Sequence, residues 1–435
     1  MGPAPTPLDL VILGALTDTG RLACEYLASH LPEGLRWAMA GPDTDALQVY
    51  RKQELPDTAR YTPLLEINVD NEEQLAKMAA RSKVVCNFLA ETNSERILPV
   101  VAACTEAGCS YVDITGEMKF MKSSMDRYDD QAKSNSALVI HGCSFDSLPS
   151  DLGAFMAATA MKKQHGVKCD RIRTYIMDMK GGVGGGAVNN AMYFLTNQVE
   201  NEDEALKLPY VLDPPGGQAG PDTVDSGKVK QLPVWDDDGK TWAVPFLMAS
   251  VNARVVRRSN ALTGYAYGEG ASYGEVQAVP GPISGLIGVL SIAIVMCMMA
   301  FLPTRWLLQR HFLQKQGGGT ELKLQNEDYS KLKIVAVGEC KKQAADGSAD
   351  SDSVPLADDS MGPPPKIVAR VETGTGADPG PKCTALMSIE AGLCVCLERQ
   401  RCHHGGVMTP AAGLGQTLVD RLNQSGMRLY VETSP

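Results

Sequence analysis

The sequence predicts an α/β protein with an N-terminal Rossmann-type parallel sheet domain, a second α+β domain and a membrane-associating hydrophobic segment. Three observations predict it. A glycine turn follows the first apolar run, short apolar runs alternate with amphipathic segments as far as Cys143, and an uncharged stretch fills residues 283–302. At 435 residues the chain is long enough for two or three domains, each with its own core.

The turn after the first strand is of the dinucleotide-binding kind, with one glycine replaced. Gly14 and Gly20 stand at the outer positions of a G-x-x-G-x-x-G pattern, and Thr17 stands at the middle one. The middle glycine normally lets the cofactor pyrophosphate approach the backbone and the N-terminus of the next helix. The β-branched Thr17 stands where the phosphate would come closest. The turn therefore predicts a Rossmann-type fold, and its Thr17 leaves open whether the domain still binds a dinucleotide.

The alternation between residues 8 and 143 is typical of βαβ units on a parallel sheet. Helical segments include Gly20–Leu31, Glu72–Ala80 and Ile97–Ala107. The six predicted strands are Leu8–Leu13, Arg36–Ala40, Leu64–Asn68, Val84–Leu89, Ser110–Asp113 and Leu138–Gly142.

After Asp146 the pattern changes, and a second, mainly antiparallel sheet is expected. A glycine cluster, Gly181–Gly186, is either a flexible loop or a place where backbone closely approaches a ligand. The predicted elements of this part are a helix at Pro149–Lys163, strands at Arg171–Met179, Phe246–Arg258, Tyr265–Val279, Ile367–Thr373 and Leu429–Glu432, and helices at Thr384–Glu398 and Pro410–Ser425.

The uncharged stretch at residues 283–302 has the length of a bilayer core when helical. A buried core helix is the alternative, but the run has no polar face. Basic residues and Trp306 follow it, between Arg305 and Lys315, as at a membrane interface. We expect membrane contact. A transmembrane helix stays open, but a hairpin or re-entrant helix is preferred because prolines bracket the segment at both ends.

Charge and cysteine usage exclude several classes of function. The net charge of -10 argues against nucleic-acid binding. Twelve cysteines without a CxxC pair fit free thiols in a reducing, intracellular compartment. The spacing of Cys394, Cys396, Cys402 and the adjacent histidines matches no familiar zinc pattern, so we expect no metal.

Candidate catalytic residues follow the fifth and sixth strands, where the carboxyl ends of parallel strands meet a ligand. Tyr111, Asp113 and Asp146 are the candidates: all three are expected to face the cleft, and the carboxylate of Asp113 or Asp146 can orient a water or a substrate hydroxyl. For both aspartates the alternative, held as equally strong, is a structural role in which the side chain caps a turn or a helix through a hydrogen bond to the backbone. His141 is a proton donor or a structural residue. No Ser-His-Asp arrangement is predicted from spacing.

Five segments, in this order along the chain, resemble the saccharopine dehydrogenase-like oxidoreductases, a family related to the trans-acting enoyl reductases. They are Val11–Ala15, Tyr111–Glu117, Gly142–Asp151, Arg257–Leu262 and Gly405–Ala412.

The resemblance implies an NAD(P)-binding Rossmann domain (residues 1–145), an α+β substrate or dimerisation-like domain (146–382) and C-terminal helices that return to the first domain (383–435). It also implies a lipid connection: a lipid-like substrate in glycolipid metabolism and attachment to a membrane or lipid droplet. The expected location is a lipid droplet, a mitochondrion or the inner face of the plasma membrane, with a homodimer left open.

This chain departs from the family at three cofactor-facing turns. Relatives carry G-A-[ST]-G-F-T-G at the first turn, which Leu16, Thr17 and Asp18 alter. Pro42-Asp43 replaces the arginine that meets the 2′-phosphate of NADP, and Asp43 can instead accept from a ribose hydroxyl. Ala90 begins the third altered turn. The candidate cofactor-binding residues are Gly14, Ala15, Thr17, Thr19, Gly20, Asp43 and Ala90.

Two functions therefore remain open. The first is an oxidoreductase that uses NAD or NADP to reduce a lipid-derived carbonyl or enoyl group. The alternative is a non-catalytic, lipid-associated protein that has kept the fold and lost the cofactor.

Overall fold

β1 (Leu8–Leu13) is buried at every position, as expected for a central strand covered by helices on both faces. In the computed structural model, which describes residues 7–89, 94–180, 208–217, 220, 232–300, 304, 328–339, 363–374 and 378–433, this strand lies in the middle of a seven-stranded sheet. The other strands are β2 (Trp37–Gly41), β3 (Leu64–Glu66), β4 (Ser82–Asn87), β5 (Ser110–Asp113), β6 (Leu138–Ile140) and β13 (Gly406–Met408).

All neighbouring strands of this sheet are parallel. Their order, β3-β2-β1-β4-β5-β6, is that of a Rossmann fold, with β13 added beyond β6. The predicted Rossmann-type sheet is confirmed. The intervening helices are α1 (Asp18–Ser29), α2 (Thr44–Gln53), α3 (Glu72–Ala80), α4 (Leu98–Ala107) and α5 (Met118–Ser134).

A second seven-stranded sheet follows, in the order β14-β12-β11-β7-β10-β9-β8. Only β7 and β10 pair in parallel, so the expected mainly antiparallel sheet is confirmed. The strands are β7 (Cys169–Lys180), β8 (Val234–Asp236), β9 (Thr241–Pro245), β10 (Ser272–Val279), β11 (Tyr329–Gly338), β12 (Lys366–Glu372) and β14 (Arg428–Val431).

Helix α6 (Leu148–His165) leaves the first sheet and packs on the second. A Cβ atom on Gly153 would stand 2.6 Å from the side chain of Ile334 on β11. This glycine therefore allows the helix to approach the sheet closely.

The strand predicted at Phe246–Arg258 is wrong, because Ala249–Leu262 forms a helix, α7. Both sides of this segment are buried, including the side chains of Arg254, Arg257 and Arg258. When charged residues are buried, the alternation of apolar and charged residues in the sequence no longer matches the alternation of buried and exposed side chains that marks a strand. The i, i+3, i+4 spacing of the arginines is the helical signal.

The C-terminal part returns to the first sheet. Helix α9 (Pro381–Leu397) packs on α1 and on β4, where a Cβ atom on Gly392 would lie 2.5 Å from the Cys86 sulfur. The single helix predicted at Pro410–Ser425 is two, α10 (Pro410–Gly413) and α11 (Gly415–Gln424). They separate where Gly415 adopts a φ of 49°.

Helix α8 (Pro282–Ala300) occupies most of the uncharged stretch. Its first turn is seated on the second sheet, since a Cβ atom on Gly285 would meet Pro233 at 2.8 Å and Val244 at 3.0 Å. In the described part of the chain, no helix has the length and apolarity needed to cross a membrane. The prediction of a transmembrane helix is therefore wrong for the described residues. Beyond the seated turn α8 extends about 22 Å, less than a hydrocarbon core of about 30 Å.

Three expectations fall outside the described residues: the cofactor contact at Ala90, the glycine cluster Gly181–Gly186 and the basic flank between Arg305 and Lys315.

Candidate functional site

The glycine turn lies at the carboxyl end of β1, where the strand order reverses, which is the ligand position in Rossmann folds. Gly14 has a φ of 80°, and a Cβ atom there would lie 3.0 Å from Leu89. A Cβ atom on Gly20 would lie 2.1 Å from the carbonyl oxygen of Gly14. Both outer glycines are therefore required by the backbone of the turn.

Thr17 caps helix α1 with its own side chain. Its Oγ1 accepts a hydrogen bond from the Gly20 N–H at 3.0 Å. The same hydroxyl lies 2.9 Å from the Gly14 carbonyl and 3.1 Å from the Phe88 carbonyl, to which it can donate. The hydroxyl is thus held on three sides, and it occupies an N–H group that would otherwise face a bound anion.

The neighbouring candidates differ in their access to a ligand. Ala15 is buried in the core, and its N–H pairs with the Ala40 carbonyl at 3.3 Å. Thr19 is half-buried, whereas Asp18 is exposed in the first turn of α1. An exposed carboxylate therefore stands at the helix end that would receive the cofactor phosphates.

Asp43 follows β2, at the place where a Rossmann domain meets the ribose of its cofactor. Its Oδ1 accepts from the Ala46 N–H at 2.9 Å and caps α2. The nearby Arg21 donates to both oxygens of Glu54, at 2.8 and 2.9 Å. The cation between the first two helices is therefore already neutralised, and the turn does not fit the phosphates of a dinucleotide.

A buried polar cluster joins the carboxyl ends of β4, β5 and β6. His141 Nδ1 lies 2.7 Å from Asp113 Oδ2, and His141 Nε2 lies 2.9 Å from Ser124 Oγ on α5. The Asn87 amide donates to the Tyr111 hydroxyl at 2.9 Å. Burial and the neighbouring Asp113 carboxylate hold the pKa of Tyr111 well above its usual value.

Asp113, His141 and Ser124 have the connectivity of a catalytic triad, which spacing did not predict. The sequence offered no signal, because such triads are recognised by geometry and not by chain order. All three side chains are enclosed; Ser124 is 0 % exposed. The adjacent cavity, lined by His141, Arg258 and Thr409 together with apolar residues, measures about 10 Å³, roughly the space for one water. The cluster therefore fixes α5 to the sheet through side chains that are closed off from solvent.

Of the three predicted catalytic residues, only Asp146 reaches solvent. Tyr111 and Asp113 are buried, and Asp113 accepts from the N–H groups of Thr115 and Gly142, as the capping alternative expected. Desolvation by the surrounding protein raises the pKa of Asp146 although its side chain is exposed.

The later motifs meet in one buried joint. Asp151 accepts from the Ser259 hydroxyl and, at 2.8 Å, from the Ala411 N–H, and burial raises the pKa of Asp151 to about 7. Arg258 donates to the Val407 carbonyl at 2.6 Å and to the Leu212 carbonyl. Segments separated by more than a hundred residues therefore bind one another here, and the motifs that carry the family resemblance connect the two sheets.

A second buried carboxyl lies beside this joint. Glu275 on β10 accepts from Tyr273 at 2.6 Å and from the Asn252 amide at 2.9 Å. Asn252 in turn accepts from Ser147, directly after Asp146. Burial raises the pKa of Glu275 to about 7.

No disulfide joins the cysteines in the described ranges, and no group of His, Cys, Asp or Glu residues among them could hold a metal ion.

The order of the parallel sheet, the glycine turn after β1 and the second, mixed sheet define a protein with a Rossmann-type domain joined to a second sheet. Residues 10–140 match the model of the saccharopine dehydrogenase NADP binding domain.

Similarity to curated relatives covers nearly the whole chain. A Mycobacterium tuberculosis protein, provisionally named a trans-acting enoyl reductase, is 30% identical over 444 residues, which cover 99% of this chain and 98% of the relative. The trans-acting enoyl reductase of Mycobacterium bovis is 30% identical over 454 residues, 98% of each chain. The chain therefore belongs to the saccharopine dehydrogenase-like oxidoreductase family, which includes the trans-acting enoyl reductases.

Apo saccharopine dehydrogenase (L-Glu forming) from Saccharomyces cerevisiae shares the fold. The TM-score is 0.52 at 10% identity, and the match covers 98% of this chain and 100% of the yeast enzyme.

Proposed function

We propose that this chain is a lipid-surface-associated member of the saccharopine dehydrogenase-like family, attached through α8. The observation that carries the proposal is the exposure of large apolar side chains along this helix. Ile283 is 76% exposed, and Ile287 and Ile294 are each 60% exposed. No charged residue interrupts the helix. Burying these side chains in hydrocarbon gains about 25 cal/mol for each Å² of apolar surface.

The sequence after the helix also favours attachment to a lipid surface. Arg305, Arg310 and Lys315 follow α8 and would be attracted to anionic headgroups. Because the first turn is seated on the second sheet, α8 enters one leaflet as a re-entrant or interfacial helix. A lipid droplet, a mitochondrial membrane or the inner face of the plasma membrane fits this mode of attachment.

The first form of this function includes chemistry: reduction of a lipid-derived carbonyl or enoyl group, as the names of the relatives suggest. Asp146, the exposed carboxyl at the ligand edge of the sheet, would orient the substrate or a water. Asp43 would favour NAD over NADP, because its carboxylate repels a 2′-phosphate. An assay of NADH oxidation with long-chain enals or enones, compared between the wild type and Asp146→Asn, tests this form.

The second form keeps the lipid attachment and the fold without the cofactor. The observation that favours it is the Thr17 hydroxyl, which takes the Gly20 N–H at 3.0 Å. Both forms share the lipid surface and differ only in the Rossmann domain.

Vesicle flotation of the full chain tests the attachment. Vesicles that contain anionic lipid should carry the wild type upward, and Ile287→Asp with Ile294→Asp should reduce the floating fraction at least about tenfold, because two charges enter the apolar face. Val49→Asp is the matched control, since Val49 is 51% exposed on α2. Wild-type protein that stays at the bottom of the gradient, or variants that float equally well, would overturn the proposal.

A further inference from the structure

We infer, building on the second form of the proposed function and against the first, that the Rossmann domain of this chain excludes dinucleotide phosphates, because the Thr17 side chain takes the place that a phosphate oxygen would occupy. The N-terminus of α1 should offer free N–H groups to an anion. Here the Gly20 N–H already donates to Thr17 Oγ1 at 3.0 Å. Rotating the hydroxyl away would also break its contact with the carbonyls of Gly14 and Phe88.

The two remaining glycines do not indicate a bound cofactor. A Cβ atom at Gly20 would lie 2.1 Å from the Gly14 carbonyl oxygen, and one at Gly14 would lie 3.0 Å from Leu89. Gly14 also has a positive φ of 80°. The fold therefore requires both glycines whether or not a ligand binds, and only the middle position is free to report on the phosphate.

The charged residues around the turn also oppose the binding of a phosphate. Asp18 and Asp43 are exposed carboxylates at the starts of α1 and α2. Arg21 is paired with Glu54, and Glu25 lies close enough to Glu54 for its pKa to be raised by desolvation and by that like charge. An incoming pyrophosphate would therefore meet negative charge of its own sign.

What is excluded is the phosphate and not the nucleoside. Neither Thr17 nor Asp18 opposes a neutral adenosine, whose ribose hydroxyls can donate to a carboxylate such as Asp43. A phosphate-free nucleoside and a dinucleotide therefore separate the effect of the turn from any general loss of the pocket.

The experiment is a calorimetric titration of the full chain with NADH, NADPH and adenosine. The wild type should show no saturable binding of either dinucleotide at submillimolar concentration. Thr17→Gly with Asp18→Asn should bind NADH at least about tenfold more tightly, while adenosine affinity stays within about twofold of the wild type. Glycine at an N-cap costs only a few tenths of a kcal/mol, so this variant is expected to fold. Asp18→Asn alone, an isosteric change, is the second variant.

Asn71→Gly is the matched control, because Asn71 caps α3 in the same way, accepting from the Gln74 N–H at 3.1 Å. It should leave every affinity unchanged. Micromolar or tighter binding of NADH or NADPH by the wild type would overturn the inference. So would a folded double variant that gains no affinity. Vesicle flotation does not enter this comparison, so failure here leaves the proposed lipid attachment intact.

Discussion

At the residue scale, the cluster of Asp113, His141 and Ser124 shows how far chemistry can be predicted from residue types. The sequence placed Asp113 and His141 at strand ends, which is where they lie. It gave no reason to include Ser124, because a helical serine is brought to the histidine only by the packing of α5 on the sheet. Accessibility, which separates a structural cluster from a catalytic one, is likewise set by packing.

Ser124→Ala should lower the free energy of unfolding by about 1–3 kcal/mol, because it leaves the buried His141 Nε2 without its hydrogen bond. Chemical denaturation measures this loss. Ser134→Ala, at an exposed site of the same helix, should change stability by no more than about 0.5 kcal/mol. If Ser124→Ala left stability unchanged and abolished an ester-hydrolysing activity, Ser124 would be a nucleophile and the structural assignment would be wrong.

At the scale of the elements, the first sheet was the most predictable part. Its strands are short apolar runs between amphipathic helices, a pattern that local residues decide, and β1 and β5 have the bounds that were predicted. β13 was missed because three residues carry no periodicity. The sequence of α7 resembles a strand because its arginines are buried against carbonyl groups of a distant segment, such as that of Leu208.

The contact between α6 and β11 offers a test of helix packing. Gly153→Ala should lower the free energy of unfolding by about 1–3 kcal/mol, because the added Cβ atom would stand 2.6 Å from Ile334 in a filled core. Thermal or urea denaturation checks it. Gly116→Ala is the control, since nothing lies within 4 Å of its Cβ position. Equal stability of both variants would mean that α6 is seated less closely than described.

At the scale of the whole molecule, two buried carboxyls lie at the joint between the sheets or directly beside it. Burial raises the pKa values of Asp151 and Glu275 to about 7. In an unfolded chain such groups titrate near about 4. The folded state therefore favours the neutral carboxyl, and the stability gained is complete below about pH 4 and is lost as the pH rises through about 7.

Glu275→Gln removes one of these titrations. Between about pH 5 and about pH 8 the wild type should lose about 2.5 kcal/mol more of its unfolding free energy than the variant does. Urea denaturation at the two pH values gives the difference directly. An identical pH dependence in both proteins would show that Glu275 titrates in the ordinary range.

The last three of the five segments that resemble the family meet in the joint between the two sheets, whereas the altered residues lie at the turns after β1 and β2. Asp151, Ser259 and Ala411 join across the chain as the fold demands. Thr17, Asp18 and Asp43 lie where a dinucleotide would touch the domain. The joint between the sheets and the phosphate turn are therefore separate parts of the molecule.

The most direct test of this account is a calorimetric titration of the wild-type chain with NADPH. The self-capped turn predicts no saturable heat of binding at submillimolar concentration, since the Gly20 N–H already donates to Thr17 and the Asp18 and Asp43 carboxylates oppose the phosphates. Saturable binding with a dissociation constant in the micromolar range or below would contradict this prediction. It would show that the Thr17 hydroxyl moves away from the Gly20 N–H when the cofactor binds.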